Sequence, residues 1–262
     1  MHEIADIACN FTSERFDKDL DDVINRAITN KITKFALICS RLKDLEKLLE
    51  IYNRFTKNMY FTIGVHPHHA NEINDEYLKR LKEAIKDNNP HAIGETGLDF
   101  YRNLSTYEEQ IYAFEEQIKI AIDTNKPLFL HQRDSHDDFI KILRKYSADF
   151  NKAVVHCFTG TQKQLDDYLE LDCYIGVTGW ICDEKRNVEL RKTIKNIPLE
   201  RLMIETDCPY LIPKNLHEKP KNNRNEPCNL NHIVAEIAML MALDEENLRK
   251  ETLRNTEKFF NA

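Results

Sequence analysis

The chain contains no apolar run near the roughly 20 residues that a membrane-spanning helix needs. Its start, Met1-His2-Glu3-Ile4-Ala5-Asp6, has no basic segment leading into a long apolar one. A cytoplasmic protein with no membrane partner is therefore expected. A Gly-x-Gly-x-x-Gly or Walker phosphate loop is also missing, which removes the main support for a nucleotide-cofactor enzyme. None of the seven scattered cysteines (Cys9, Cys39, Cys157, Cys173, Cys182, Cys208, Cys228) forms a Cys-x-x-Cys pair that could hold zinc, so they read as reduced, small core residues. Nor is there a basic surplus: the formal net charge is −7. That excludes a broad positive field for coating duplex nucleic acid, so any nucleic-acid contact must be local. No Pro/Gly/Ser-rich linker interrupts the sequence, and a single domain over residues 1–262 is expected.

What is present is an ordinary globular balance, 42% hydrophobic and 31% charged, in 262 residues. A chain of this size buries roughly three-quarters of its unfolded surface. Short runs rich in Ile, Val, Leu and Phe predict eight strands at 4–9, 34–39, 60–65, 91–95, 127–131, 153–156, 173–178 and 202–205. Charged, helix-periodic segments fall between them at 17–30, 42–56, 76–87, 107–124, 136–146, 162–170 and 183–195, with a last helical region at 229–260. Near-continuous apolar strands alternating with amphipathic helices indicate an α/β fold with a parallel sheet covered by helices. Eight such units in about 260 residues fit a (β/α)₈ TIM barrel.

Polar residues fall at telling positions along this pattern. Glu95, His131 and His156 end their strands, and Asp207 follows another. A lone histidine or acid at a strand end is usually a hydrogen-bonded structural residue, a cap or a turn former. Four together at the C-terminal rim of a barrel read as a site, and two imidazoles with two carboxylates suit a divalent metal. The same rim carries His66, His68 and His69 beside Pro67. Arg133, two residues beyond His131, has the fork geometry to hold a phosphate. His2, His91, His136, His217 and His232 lack such a setting and read as structural or surface residues.

Five segments resemble the TatD family of metal-dependent deoxyribonucleases: Gly64-Val65-His66-Pro67-His68, Ile93-Gly94-Glu95-Thr96-Gly97-Leu98-Asp99, His131-Gln132-Arg133-Asp134, His156-Cys157-Phe158-Thr159-Gly160 and Glu205-Thr206-Asp207-Cys208-Pro209-Tyr210-Leu211. They occur in order and span nearly the whole chain. The resemblance implies that Glu95 bridges or shares two divalent metals, that His131 and His156 complete the better-preserved site, and that Asp207 binds or orients the nucleophilic water. It further implies that His68 and Arg133 face the scissile phosphate, and that Arg224-Asn225-Glu226-Pro227 belongs to a late loop typical of the family. One departure stands out: many members carry His-x-His at the end of strand one, where this chain has Ala8 and Asn10. Asp6 and Asn10, followed by Phe11-Thr12-Ser13, are similar to the subgroup containing TatD itself. A weaker first-metal region around Asp6, Asn10 and His66 follows as an expectation.

The chemistry expected is hydrolysis of a phosphodiester by metal-activated water, with Asp207 as general base and Glu95 as its partner. Loss of imidazole ligands leaves more oxygen donors, which favours Mg²⁺ or Mn²⁺ over a tightly held Zn²⁺, and one or two ions, Mg²⁺ first among them, are expected. Arg102, Arg133, Lys214, Lys219, Lys221 and Arg224 lie near the predicted rim loops, and Tyr101, Trp180 and Tyr210 are available to stack on bases. Together they suit single-stranded DNA, with RNA as a further substrate, degraded by a monomer from the 3′ end, a polarity implied by the resemblance alone. Two other classes remain: an amidohydrolase or esterase on a small molecule, which the same barrel supports, and a degenerate, non-catalytic barrel. No lysine ends a strand to form the carbamate bridge of the first, and retention of all four strand-end ligands argues against the second.

Overall fold

The computed structural model describes residues 1–220 and 222–261. Eight strands, β1 (Ile4–Cys9), β2 (Ile32–Leu37), β3 (Met59–Ile63), β4 (Ala92–Asp99), β5 (Leu128–Arg133), β6 (Ala153–Val155), β7 (Tyr174–Val177) and β8 (Leu202–Ile204), form one sheet in sequence order. Every adjacent pair is parallel. Cys208, just past β8, bridges Cys9 at the end of β1, and the Asn10 N–H donates to Cys208 O at 2.9 Å. The sheet thereby closes into the expected (β/α)₈ barrel. Around it run α1 (Leu20–Thr29), α2 (Leu45–Arg54), α3 (Asp75–Asn88), α4 (Tyr107–Thr124), α5 (His136–Tyr146), α6 (Gln162–Glu170), α7 (Val188–Thr193), α8 (Leu230–Met241) and α9 (Glu245–Phe260). No described helix is long and apolar enough to cross a membrane.

Three elements differ from the sequence pattern. The region 229–260 is two helices, because Ala242 takes a left-handed conformation (φ 52°) and Asp244 restarts the chain by accepting from Asn247 N at 2.9 Å. The segment 183–195 is helical only from Val188, since the Asp183 carboxylate binds the N–H groups of Lys185 and Arg186 in a tight turn. β4 continues past Glu95 to Asp99.

Side-chain alternation explains how the strands aim the site. Leu128 and Leu130 pack toward the helices, whereas Phe129 joins an inner cluster with Ile7, Ala36, Tyr60, Val154, Tyr174 and Met203. Continuing the same two-residue period places His131 after Phe129, His156 after Val154 and Glu205 after Met203 on the inner face. Phe259 and Phe260 plug the opposite end, Phe260 stacking on Tyr60 at 4.9 Å. Two glycines set the spacing between β4 and β5. Gly94 (φ 147°) and Gly97 (φ 144°) lie in the region L side chains avoid, and a Cβ on Gly97 would sit 1.9 Å from His131 O. This close approach brings Glu95 and Asp99 against His131.

The seam between β1 and β8 is held by Asp6. Its fully buried carboxylate accepts from Thr206 N at 2.9 Å, Thr206 Oγ1 at 2.5 Å and Ala8 N at 3.3 Å. Burial pushes the carboxyl up to about 7 despite these donors. An unfolded aspartate titrates near 3.9, so the extra proton affinity of the folded state is fully present below about pH 4 and is lost as pH rises through about 7. Asp6→Asn keeps an acceptor for Thr206 N and Ala8 N and can donate to Thr206 Oγ1. The difference in Tm, variant minus wild type, is therefore expected to grow from about pH 4 to about pH 8, followed by differential scanning calorimetry. A difference that stays constant across this range would mean that the carboxyl titrates normally.

Candidate metal centre

At the C-terminal rim, one oxygen collects the site. Glu95 Oε1 lies 2.7 Å from His156 Nε2, 3.1 Å from His131 Nδ1 and 3.5 Å from His66 Nε2. His131 Nδ1 and His156 Nε2 are 3.4 Å apart. Donor atoms of His66, Glu95 and His131 all fall within 4.8 Å of one another. Burial acts to raise the Glu95 carboxyl, but the charges and hydrogen bonds of His66, His156 and His131 outweigh it and hold the group well below the usual carboxylate range. His156 is buried too, yet Glu95 and Glu205 push it well above the ordinary histidine value. His66 moves the other way, lowered chiefly by burial.

Two further carboxylates brace the imidazoles. Asp99 accepts from His68 Nε2 at 2.7 Å and from the N–H groups of Arg102 and Tyr101 at 2.8 and 3.1 Å, and lies 3.4 Å from His131 Nε2. Its burial is overcome by the imidazoles of His131 and His68, which hold it far below the usual range. Glu205, fully buried, accepts from Cys157 N at 2.5 Å and reaches to 3.4 Å from His156 Nδ1. Gly176 makes room for it: a Cβ there would stand 2.9 Å from Glu205 Oε1. His131 Nε2, His156 Nδ1 and Glu205 Oε2 complete no hydrogen bond despite their burial. These atoms face away from Glu95; it is His131 Nδ1 and His156 Nε2 that converge with Glu95 Oε1, and two imidazole nitrogens gathered on one ionised carboxylate suit a divalent cation.

Asp207 follows β8 in a left-handed turn (φ 54°). Asn10 Nδ2 donates to its Oδ1 at 2.9 Å and to Cys208 O at 3.1 Å. Burial pushes the carboxyl up to about 7; the charge of His156 opposes this, and those of Glu95 and Glu205 reinforce it. Asn10 therefore meets Asp207, while Asp6 is engaged with Thr206. Of the residues expected around the first metal, His66 alone stands against Glu95. Arg133 is exposed and stacks over the Tyr101 ring at 3.8 Å.

Arg224, one of the cations expected near the rim loops for a single strand, is engaged by protein partners. It is buried, bonded to both Asp19 oxygens at 2.7 Å, to Glu226 at 2.7 Å and to Arg15 O at 2.6 Å. A guanidinium with these partners ties loops together and is not free for a ligand. Lys221 lies outside the described residues. His136 is structural as expected, buried between Tyr168 and Asp167. Asp99, past the expected end of its strand, and Glu205, at the end of the run 202–205, were not among the expected site residues.

Imidazoles and carboxylates gathered at the C-terminal rim of a parallel eight-stranded barrel define the metal-dependent hydrolase class. A model of the TatD related DNase family matches residues 5–261, and the chain belongs to that family. It is 42% identical over 255 residues to the 3′-5′ ssDNA/RNA exonuclease TatD of Erwinia billingiae, covering 97% of this chain and 98% of that one. Among solved structures, a TatD family hydrolase from Entamoeba histolytica superposes with a TM-score of 0.89 at 29% identity, covering 99% and 98% of the two chains. A TatD homologue from Escherichia coli gives 0.91 at 25% identity, with the same coverage.

The bracing by Glu205 is testable apart from catalysis. Glu205→Gln keeps an acceptor for Cys157 N but removes the charge facing His156, and should weaken divalent-metal affinity about 10–100-fold with folding retained, as read by calorimetric titration. Wild-type affinity in the variant would show that Glu205 serves only the backbone of Cys157.

Proposed function

We propose that this chain is a metal-dependent 3′–5′ exonuclease acting on single-stranded DNA, and on RNA, as a cytoplasmic monomer of one domain. The observation that carries the proposal is the ionised Glu95 carboxylate enclosed by His66, His131 and His156. The activity named for relatives about 40% identical over their whole length supplies the substrate class. Seven unpaired cysteines suit a reducing compartment.

Glu95, His131, His156 and Asp207 would hold the principal ion, Mg²⁺ in the cell and replaceable by Mn²⁺ or Zn²⁺. A second, weaker position would lie toward His66 and Asn10, where Ala8 offers no ligand. A bound divalent cation lowers the pKa of water from about 15.7 to near 7 and offsets the phosphate charge that repels hydroxide. Asp207 would accept the proton of the attacking water; Asn10 occupies Oδ1, which leaves Oδ2 for it. His68, held by Asp99, and Arg133, held over Tyr101, are placed to meet the phosphate oxygens.

The test is incubation of the purified protein with single strands labelled at the 5′ or the 3′ end, with Mg²⁺ or chelator. Stepwise shortening from the 3′ end, abolished by chelation, is expected. Glu95→Gln and Asp207→Asn should each lower turnover at least a thousandfold, on the order of 4 kcal/mol of barrier. His68→Ala and Arg133→Ala should lower it about a hundredfold with metal content unchanged. Near-wild-type cleavage by either carboxylate variant would defeat the assignment.

A further inference from the structure

We propose that a cavity beside Asp207, lined by Trp180 and Tyr210, is a preformed subsite for one nucleotide of a single-stranded substrate, next to the residue attacked. The inference rests on the exonuclease reading and adds where the strand lies. The cavity has a volume of about 320 Å³ and is bounded by Arg15, Trp180, Asp183, Arg186, Tyr210 and Lys214 among others. That is the lower end of the range for small-ligand pockets. Its walls come from the loops after β7, β8 and β1, three successive strands at the same rim as the metal ligands. The wall begins at Pro209, two residues along the chain from Asp207.

The walls are fixed. Trp180 N donates to Thr178 Oγ1 at 3.3 Å, and Asn187 Nδ2 holds Trp180 O at 3.0 Å. Tyr210 N donates to Asp207 O at 2.9 Å, the Asn225 N–H to Pro209 O at 3.0 Å and Asn225 Nδ2 to Leu211 O at 3.3 Å. Gly179 lets the two loops touch, since a Cβ there would lie 2.5 Å from Leu211 O. Yet the Tyr210 side chain these bonds position is 54% exposed, an aromatic surface with no protein partner over much of its area. A pinned backbone presenting an open ring is what base stacking requires.

Charge selects the ligand. The carboxylate in the cavity, Asp183, is occupied by the N–H groups of Lys185 and Arg186 and lies 3.9 Å from the Arg186 guanidinium. Arg15 spends its donors on carbonyl oxygens of Pro209, Asn222 and Asn223, which leaves its charge uncompensated. Lys214 is exposed and has no acidic partner among the described residues. Two unbalanced cations beside two aromatic rings, in a chain of net charge −7, suit a base carried on an anionic backbone. A neutral small molecule would leave those cations unused.

Trp180 is the sole tryptophan of the chain, so its emission reports directly on the cavity. The experiment titrates the Mg²⁺-loaded protein with non-cleavable, phosphorothioate-linked (dT)₅ bearing a fluorescein end label, following tryptophan emission and label anisotropy together. Quenching of Trp180 that tracks the anisotropy is expected. Tyr210→Ala should weaken binding about tenfold, within the range measured for one stacked base. Lys214→Ala should reduce the slope of log affinity against log salt by about one. Silent emission at saturating oligonucleotide, or unchanged affinity in Tyr210→Ala, overturns the subsite. If the wild-type protein degrades labelled strands while Trp180 stays silent, the subsite alone fails; if it degrades none, the exonuclease reading fails.

Discussion

The buried Glu95 carboxylate is the constraint on which the rest of the rim depends. An ionised acid at 6% exposure costs far more than its burial returns unless opposite charge and donors surround it. Three imidazoles from the ends of β3, β5 and β6 do so, and each needs its own alignment. The two-residue alternation supplies it for His131 and His156, whose strands contribute Phe129 and Val154 to the packed interior one step earlier. Gly94 and Gly97 supply it for Glu95 by letting β4 press against β5. Asp99 and Glu205 then steady the far sides of the rings. The result is a set of imidazole and carboxylate ligand atoms that the hydrophobic barrel holds converged, and such a set suits a divalent cation.

Barrel closure and catalysis meet at Asp207. The seam that joins β8 to β1 consists of the parallel backbone pairing of Cys9 with Cys208, the Asp6–Thr206 bonds and the Asn10 side chain. The acid proposed as the proton acceptor is therefore positioned by the same contacts that shut the sheet. Asn10 donates a hydrogen bond to that acid. Arg224, clamped to Asp19 and Glu226, fastens the loop after β8 to the loop after β1 on the outer side of the seam.

Much of this was legible in the sequence, and for identifiable reasons. Eight apolar runs with helical segments between them admit few arrangements, and Glu95, His131 and His156 lie where those runs stop. Asp99 was hidden because the glycines before it break the apolar pattern, so β4 read as ending at Glu95. Glu205 ends the apolar run 202–205 and continues the alternation after Met203, so its signal was present, but Asp207 just beyond the same run drew the assignment. Arg224 misled because a cation near a rim loop gives no sign of the Asp19 carboxylate that captures it from across the fold. The helix break at Ala242 also lacked a signal, since alanine ordinarily continues a helix and only its packing imposes the left-handed turn.

The central claim, that Glu95 and its imidazoles form a cation site, is tested most directly by anomalous diffraction from crystals grown with Mn²⁺. The account predicts a strong anomalous peak in contact with Glu95, His131 and His156, with any second peak weaker and on the His66 side. A map with no peak at Glu95, or with its strongest peak elsewhere on the barrel, would contradict it.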